Sequence, residues 1–483
     1  MLEVVGQVVV YSVAGCPHCL AAKKTLKDSG VPVIDVSVDR FPAVRSWLQE
    51  KTGRTSVPQI FFNETYVGGN DDLQTVMKDE EAWNKLLADI QTNQPEEGSL
   101  LIPHPSEATD VVVSEFVCES DPSAPIVEEL QESGILHTHR TSLFSCVKDA
   151  FSGQHFVSWI VTAKEVAEKE AIDIGQDLLD KKYILPVQNG TQTTLMNDPK
   201  VYYRLNETSK SDALNSGPTQ KCKLRDAGEL SESLRRTMLK LTSDHISDDG
   251  KVVNYKEIKV AEEFEDYVKM SQELQRVSIE KLDQDELKAF SINIYNALVI
   301  HATVINGPPS NWFSRARFFD KMSYIIGGHR YCLNDIENGI LRANKQGPLQ
   351  FSAPFGKSDP RLKTSLIQVD PRIHFALNCG AKSCPPIKTF SSKNINAELQ
   401  LATEAYLETD EALQIEEDRG IIHLSSLLKW YSSDFGDTTD DGLRWVLKNV
   451  VQPEKKAALQ SVMDTEKYKV KYIVYDWGSN SQD

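Results

Sequence analysis

The strongest constraint on the fold is local. An apolar run, QVVVYS, leads through Val13-Ala-Gly into Cys16-Pro17-His18-Cys19 and then into the helical pattern LAAKKTLKDSG. A strand ending beside a helix start puts both cysteines where main-chain N–H groups and partial positive charge stabilise a thiolate. Cys16 is therefore the expected nucleophile, and Cys19, one turn on, is placed to resolve a mixed disulfide formed on it. A zinc site needs four ligands, no second pair at suitable spacing supplies the missing half, and His18 does not complete it, so no metal is expected. The bland alternative is two small buried hydrophobes.

At 483 residues the chain is long for one core, and roughly three domains of about 150 residues are expected. No apolar stretch reaches the roughly 20 residues of a membrane span. No basic leader precedes the first strand, so an intracellular, cytoplasmic protein is expected. A formal charge of −17 argues against nucleic-acid binding, which needs clustered Lys and Arg. Of the eight cysteines, only Cys16/Cys19 and Cys379/Cys384 are close in sequence. In a reducing compartment such pairs point to catalytic, redox or metal roles rather than to structural disulfides.

Strand and helix signals alternate over residues 1–90, which predicts a compact α/β unit. A polar, proline-bearing stretch, 91–110, reads as a linker. A second unit spans 111–206, and a Ser/Asn/Gly-rich stretch, 207–224, reads as a second linker. The remainder, 225–483, opens with long helices and forms a mostly helical α+β domain. The expected architecture is multidomain, with linkers long enough to suggest some independence of the parts.

Residues 7–77 resemble the glutaredoxin family. The likeness rests on Cys16-Pro-His-Cys19, on Thr55-Ser-Val-Pro-Gln-Ile-Phe61 and on Gly68-Gly-Asn-Asp-Asp-Leu73, three motifs in family order. It implies a thioredoxin-like α/β fold, a cis proline at Pro58, and glutathione as cosubstrate. The Val57 main chain beside Pro58 would pair with glutathione, and Asp71 and Asp72 would hold its γ-glutamyl end at a helix start. Protein disulfides or glutathionylated proteins would be the substrates. Two positions depart from the family: His18 stands where Tyr is usual, and Val13 where many members carry Lys, which removes a partner for the glycyl carboxylate.

Aromatic residues at helical spacing in Phe151-Ser-Gly-Gln-His-Phe-Val-Ser-Trp-Ile160 read as core. From about Ile126 to Leu205 this unit resembles the DEP domain family, through FSGQHFVSWI, EAIDIGQDLLDKKYI and NDPKVYYRL. The resemblance implies an α+β, winged-helix-like signalling module that meets partner proteins or anionic membrane surfaces, hence a peripheral membrane position as one alternative. The exposed arm would carry His137, His139, Arg140 and Lys148, each basic charge contributing on the order of 1 kcal/mol at such a surface. A plain solvated face is the other reading.

In the last unit, His374 and Cys379 are five residues apart and Cys384 follows five further on, ahead of Pro385-Pro386. A strand carrying His374 into a loop bearing both cysteines would bring imidazole and thiol together. The spacing alone leaves open packed thiols with a carbonyl-bonded His374, cysteine–histidine chemistry with Glu337 or Asp434 as orienting carboxylate, and metal or redox roles. On the helix before them, Asn293 and Asn296 lie one turn apart among apolar neighbours, where buried amides are expected to clamp a loop backbone. Isolated Cys332 is expected to be buried. Residues 250–436 resemble the domain of unknown function 547 family, through AFSINIYNALVIHA, DIENGILR, DPRIHFALNCGAKSCPPI and LLKWYSSDFG.

The expected function is glutathione-linked thiol–disulfide exchange at Cys16, positioned by the DEP-like unit. The competing classes are a signalling adaptor whose redox fold only binds partners, and a thiol hydrolase or transferase centred on Cys379 or Cys384.

Overall fold

A computed structural model describes residues 4–12, 17–38, 41–54, 57–96, 98–103, 118–140, 146–187, 193–206, 211–219, 221–246, 252–348, 350–385, 390–465 and 467–481. The first domain runs β1 (Val8–Ser12), α1 (Pro17–Asp28), β2 (Ile34–Ser37), α2 (Pro42–Thr52), β3 (Gln59–Phe62), β4 (Thr65–Gly68), α3 (Asn70–Lys78) and α4 (Glu80–Thr92). Its sheet is ordered β2-β1-β3-β4, with β1 parallel to β2 and antiparallel to β3. β1 is apolar from Val8 to Tyr11, without alternation, because helices cover both faces. Val8 and Val10 pack with Ala22 and Leu26 of α1, whereas Val9 and Tyr11 pack with Val44 and Leu48 of α2. This is the thioredoxin-like α/β arrangement.

The stretch 91–110 is more than a spacer. Leu100 is buried against the Val9, Tyr11 and Phe61 face, and the Tyr11 hydroxyl donates to the Leu101 carbonyl at 3.2 Å. Leu100 and Leu101 join that apolar cluster, whereas Ile102 beside them stays exposed.

The second domain comprises α5 (Ala124–Glu132), β5 (His137–Arg140), β6 (Cys146–Ser152), α6 (Gly153–Lys164), α7 (Glu168–Asp180), β7 (Ile184–Pro186) and β8 (Tyr202–Leu205), with the sheet ordered β5-β6-β8-β7. Phe151 and Phe156, as their spacing predicts, form its core together with Ile160, Leu178 and Tyr203. Gly175 on α7 has no room for a side chain, since a Cβ would stand 2.4 Å from Leu195 Cδ2 and 2.6 Å from Phe156 Cε1. β5, antiparallel to β6, carries His137, His139 and Arg140, and residues 141–145 lie outside the described residues.

The 207–224 stretch departs from a free linker. Asn215, fully buried, donates to the Ser271 and Ile325 carbonyls at 2.9 Å each and accepts from the Ile325 N–H. Cys222 forms a disulfide with Cys118, 104 residues away, where a reducing compartment leads one to expect thiols. Arg276, 1% exposed, donates to the Cys222 carbonyl, pairs with Glu273 at 2.6 Å and lies over the Tyr183 ring. Asn206 closes the boundary by donating to the Gln275 carbonyl. The second and third domains therefore share a packed boundary, against the independence suggested by composition. Polar residues satisfied across a boundary look the same in sequence as polar residues in water.

The third domain contains α8 (Ala227–Asp244), α9 (Tyr255–Ile258), α10 (Glu262–Gln272), α11 (Gln284–Asn306), α12 (Trp312–Lys321), β9 (Ser323–Ile326), β10 (His329–Cys332), α13 (Ile395–Leu407), β11 (Leu413–Glu416), β12 (Ile421–Ser425), α14 (Ser426–Trp430), α15 (Ser432–Phe435), α16 (Thr439–Asn449), α17 (Pro453–Asp464) and β13 (Lys469–Ile473). One expectation is corrected here: α11 is long and apolar enough by composition to cross a bilayer. Every residue from Ala289 to Val304 is nevertheless buried, which makes α11 the central helix of a protein core. A second core, built from Phe375, Tyr406, Leu424, Phe435, Val446 and Leu459, extends to Tyr475, well past the 250–436 span.

Candidate functional site

At one end of the first sheet three motifs converge. β1 and β3 are antiparallel with Tyr11 opposite Gln59, so the cis Val57–Pro58 peptide reaches the end of the sheet from which the chain leaves β1 toward α1. Cys19 is buried in the first turn of α1 and His18 is exposed. Cys16 and Val13 lie outside the described residues. β4 then delivers Gly68 and Gly69 to the start of α3, where Asp72 Oδ2 accepts from the Gly69 N–H at 2.8 Å and from Arg54 Nη1 at 2.7 Å.

Burial works against the Asp72 charge, but the Gly69 N–H and Arg54 outweigh it and hold the carboxyl below its usual range. Gly68, at φ +115°, is obligatory here: a Cβ would stand 2.2 Å from Asp72 Oδ2. Asp71 is exposed beside it. Arg54, which ties the loop before Pro58 to α3, went unnoticed in the sequence; its place two residues ahead of Ser56-Val57-Pro58 is the available signal.

The third domain holds a second polar cluster at the seam of its two cores. His374 sits in a 3₁₀ turn, Pro371–Phe375, rather than on a strand. Asp370 starts that turn by accepting from the Arg372 N–H, and Pro371 fits its first position. His374 Nε2 meets Asp434 Oδ2 at 2.9 Å, and its ring stacks on Tyr431 at 4.0 Å between centroids. Burial lowers the imidazole's proton affinity, opposed by Asp434. Burial likewise opposes the Asp434 charge, but His374 and Arg342 hold the carboxyl far below its usual range. A π-helical turn, Asp335–Leu341, presents Glu337 to the hydroxyls of Tyr431 at 2.5 Å and Tyr295 at 3.2 Å. Of the two carboxylates weighed from sequence, Asp434 is the one that orients His374.

The cysteines face elsewhere. Cys379 Sγ and Cys384 Sγ lie 2.9 Å apart, and the Tyr475 hydroxyl stands 3.2 Å from Cys384 Sγ and 3.8 Å from Cys379 Sγ. Among the described residues the hydrogen bonds of the two thiols join them to each other, to Tyr475 and to the main chain, and those of His374 join it to Asp434. Of the alternatives the spacing leaves open, the imidazole–thiol pair is therefore not assembled among the described residues. Asn296 clamps the loop as predicted, donating to the Ala376 carbonyl at 3.0 Å and accepting from the Asn378 N–H at 2.9 Å. Asn293 donates to the Phe390 carbonyl. Cys332 is buried, its thiol pushed up to about 12 by burial first. Among the described residues no group of three or more His, Cys, Asp or Glu side chains is arranged to hold a metal.

Comparison with known proteins follows the same division. The model for glutaredoxin matches residues 8–67, that for the domain found in Dishevelled, Egl-10 and Pleckstrin (DEP) matches 134–205, and that for the protein of unknown function DUF547 matches 279–407. The glutaredoxin of Pseudomonas aeruginosa is 45% identical over 69 residues, 14% of this chain and 82% of that protein. Glutaredoxin-2 of Schizosaccharomyces pombe is 33% identical over 90 residues, 18% of this chain and 81% of its own. A solution structure of glutaredoxin from Brucella melitensis is 32% identical, covering 19% of this chain and 96% of that one with a TM-score of 0.17. The chain belongs, through its first domain, to the glutaredoxin family, and carries that thiol–disulfide oxidoreductase module ahead of a DEP domain and a DUF547 domain.

Proposed function

We propose that the whole chain is a glutathione-linked thiol–disulfide oxidoreductase acting through Cys16. Cys16 would attack a glutathionylated protein or protein disulfide, and Cys19 would resolve the mixed disulfide. The observation that carries this reading is the convergence of buried Cys19, the cis Val57–Pro58 peptide and the Asp72 carboxylate at one end of the sheet. Glutathione would pair along Val57 beside Pro58. Its γ-glutamyl ammonium would meet Asp71 and Asp72, anions at a helix start that suit it by charge.

The DEP domain would bring this activity to a partner protein or an anionic membrane surface. A cytoplasmic place of action fits Cys16 and Cys19, which must be kept reduced, and runs against the Cys118–Cys222 disulfide; acid trapping of the chain's cysteines from cells decides between them. Cys118 and Cys222 trapped as thiols support the cytoplasm, and a persistent disulfide counts against it.

The functional test is glutathione-dependent reduction of a small mixed disulfide by the full chain beside Cys16→Ser and Cys19→Ser. Turnover lost only in Cys16→Ser supports a monothiol route, and loss in both supports the dithiol route. Silence in the wild type overturns the proposal and favours the adaptor reading, to which His18 and Val13 already lend weight.

A further inference from the structure

The loop Cys379–Cys384 is held from two sides. Cys384 N–H closes a turn on the Ala381 carbonyl at 3.0 Å, and Gly380 makes the reversal at φ +79°. From one side Asn296 of α11 fixes the backbone leading into it. From the other, the segment after β13 lies along the loop. Lys382 N–H donates to the Gly478 carbonyl, Asp476 N–H donates to Ser383 Oγ, and Ala381 bridges to Ser479.

That segment carries Tyr475 to the sulfurs and sets it edge-on to Trp430 and tilted against Trp477, two rings that stack on each other. Cys379 and Cys384 are partly exposed as residues and pack against the second core. The two sulfurs stand 2.9 Å apart, against about 2.04 Å in a disulfide bond. A packing role needs neither this approach nor donors aimed at one sulfur.

Cys384 Sγ receives the Cys379 N–H at 3.1 Å, the Tyr475 hydroxyl and the Cys379 thiol. Burial pushes the Cys384 thiol up, but these donors, with a main-chain bond at Ala381, outweigh it and hold it below its usual value. Cys379 moves the other way, first through sharing its proton with Cys384 and then through burial.

We infer that Cys379 and Cys384 form a second thiol–disulfide exchange site, distinct from the N-terminal one, that takes disulfides as substrates with Cys384 as the attacking sulfur. With glutathione disulfide as the oxidant, the Cys384 thiolate attacks one of its sulfurs. A Cys384–glutathione bond forms, the glutathione S–S bond breaks, and the leaving thiolate takes a proton from water. Cys379 then gives up its proton, and its sulfur attacks Cys384 Sγ. The Cys379–Cys384 bond forms and a second glutathione leaves as thiol. Two protein thiols are oxidised and one glutathione disulfide is reduced to two glutathiones; excess glutathione runs both steps backward. Tyr475 and the Cys379 N–H stabilise the attacking thiolate.

The experiment uses the full chain carrying Cys16→Ser and Cys19→Ser, so that the first domain contributes no exchange. The protein is equilibrated in glutathione/glutathione-disulfide mixtures, quenched in acid and alkylated, and the peptide spanning Cys379 and Cys384 is mapped by mass. The expected result is an internal disulfide that appears with oxidant and vanishes with excess glutathione. Cys379→Ser then arrests with one glutathione on Cys384, Cys384→Ser takes up none, and Tyr475→Phe shifts the alkylation profile of Cys384 to higher pH. Both thiols remaining alkylatable in oxidant overturns the inference, as does glutathione held on Cys379 instead. The arm retaining both Cys379 and Cys384 decides the matter even where a serine variant fails to fold.

Discussion

Asp434 accepts from both Nε and Nη2 of Arg342, at 2.6 and 3.1 Å, while its own side chain is wholly buried and Arg342's is 3% exposed. The same carboxylate holds His374 and receives Lys345 at 3.0 Å. A buried charge so dependent on its partners is costly to strand. Replacing Arg342 by Met should destabilise the third domain by about 3–5 kcal/mol. Denaturant unfolding followed by the aromatic signal checks this, and a loss under about 1 kcal/mol would show that water reaches Asp434.

His301 provides a pH test. It is 1% exposed, hydrogen-bonded to the Tyr324 hydroxyl at 2.7 Å, and burial takes its pKa down to about 3. The unfolded chain binds a proton there near pH 6.5, which the folded chain refuses until about pH 3. Stability from this group is therefore complete above about pH 6.5 and falls as pH drops, by up to about 1.4 kcal/mol per pH unit. A His301→Gln chain should lose that part of the slope between pH 6 and 4. Parallel stability curves for the two chains would assign the acid sensitivity elsewhere.

Asn296 connects fold to site. Changing it to Ala removes two buried hydrogen bonds to the loop carrying Cys379, at a cost of about 2–3 kcal/mol. Alkylation of Cys379 and Cys384 should accelerate in the same variant. Unchanged labelling together with the stability loss would mean that the chain segment holding Tyr475 suffices to hold the loop.

In the DEP domain, Gly175→Ala drives a methyl into Leu195 and Phe156 and should cost about 1–3 kcal/mol. Thermal unfolding of the full chain gives the answer. A neutral result would show that Leu195 moves aside freely.

Much of this was legible in the chain. β1 announces itself because a strand covered on both faces is apolar without alternation, and Asn293 and Asn296 because amides on an apolar helix must be satisfied. What escaped depends on distance along the chain. Tyr475 approaches Cys384 across 91 residues and Cys118 bonds Cys222 across 104, and neither spacing carries a pattern. The apolar neighbours of His374 suit a strand as well as a turn, and Asp370-Pro371 decides for the turn. The polar stretch around Asn215 reads as linker because composition records polarity and says nothing of partners.

The separation of Tyr475 from the cysteines also sets an order of assembly. A ribosome adding about 5–20 residues per second needs roughly 5 to 18 s to pass from Cys384 to Tyr475, 91 residues on. Throughout that interval the newborn loop carries two neighbouring thiols without the hydroxyl or the strap that later restrain them. The period of synthesis, rather than the finished fold, is when these cysteines are most exposed to wrong partners.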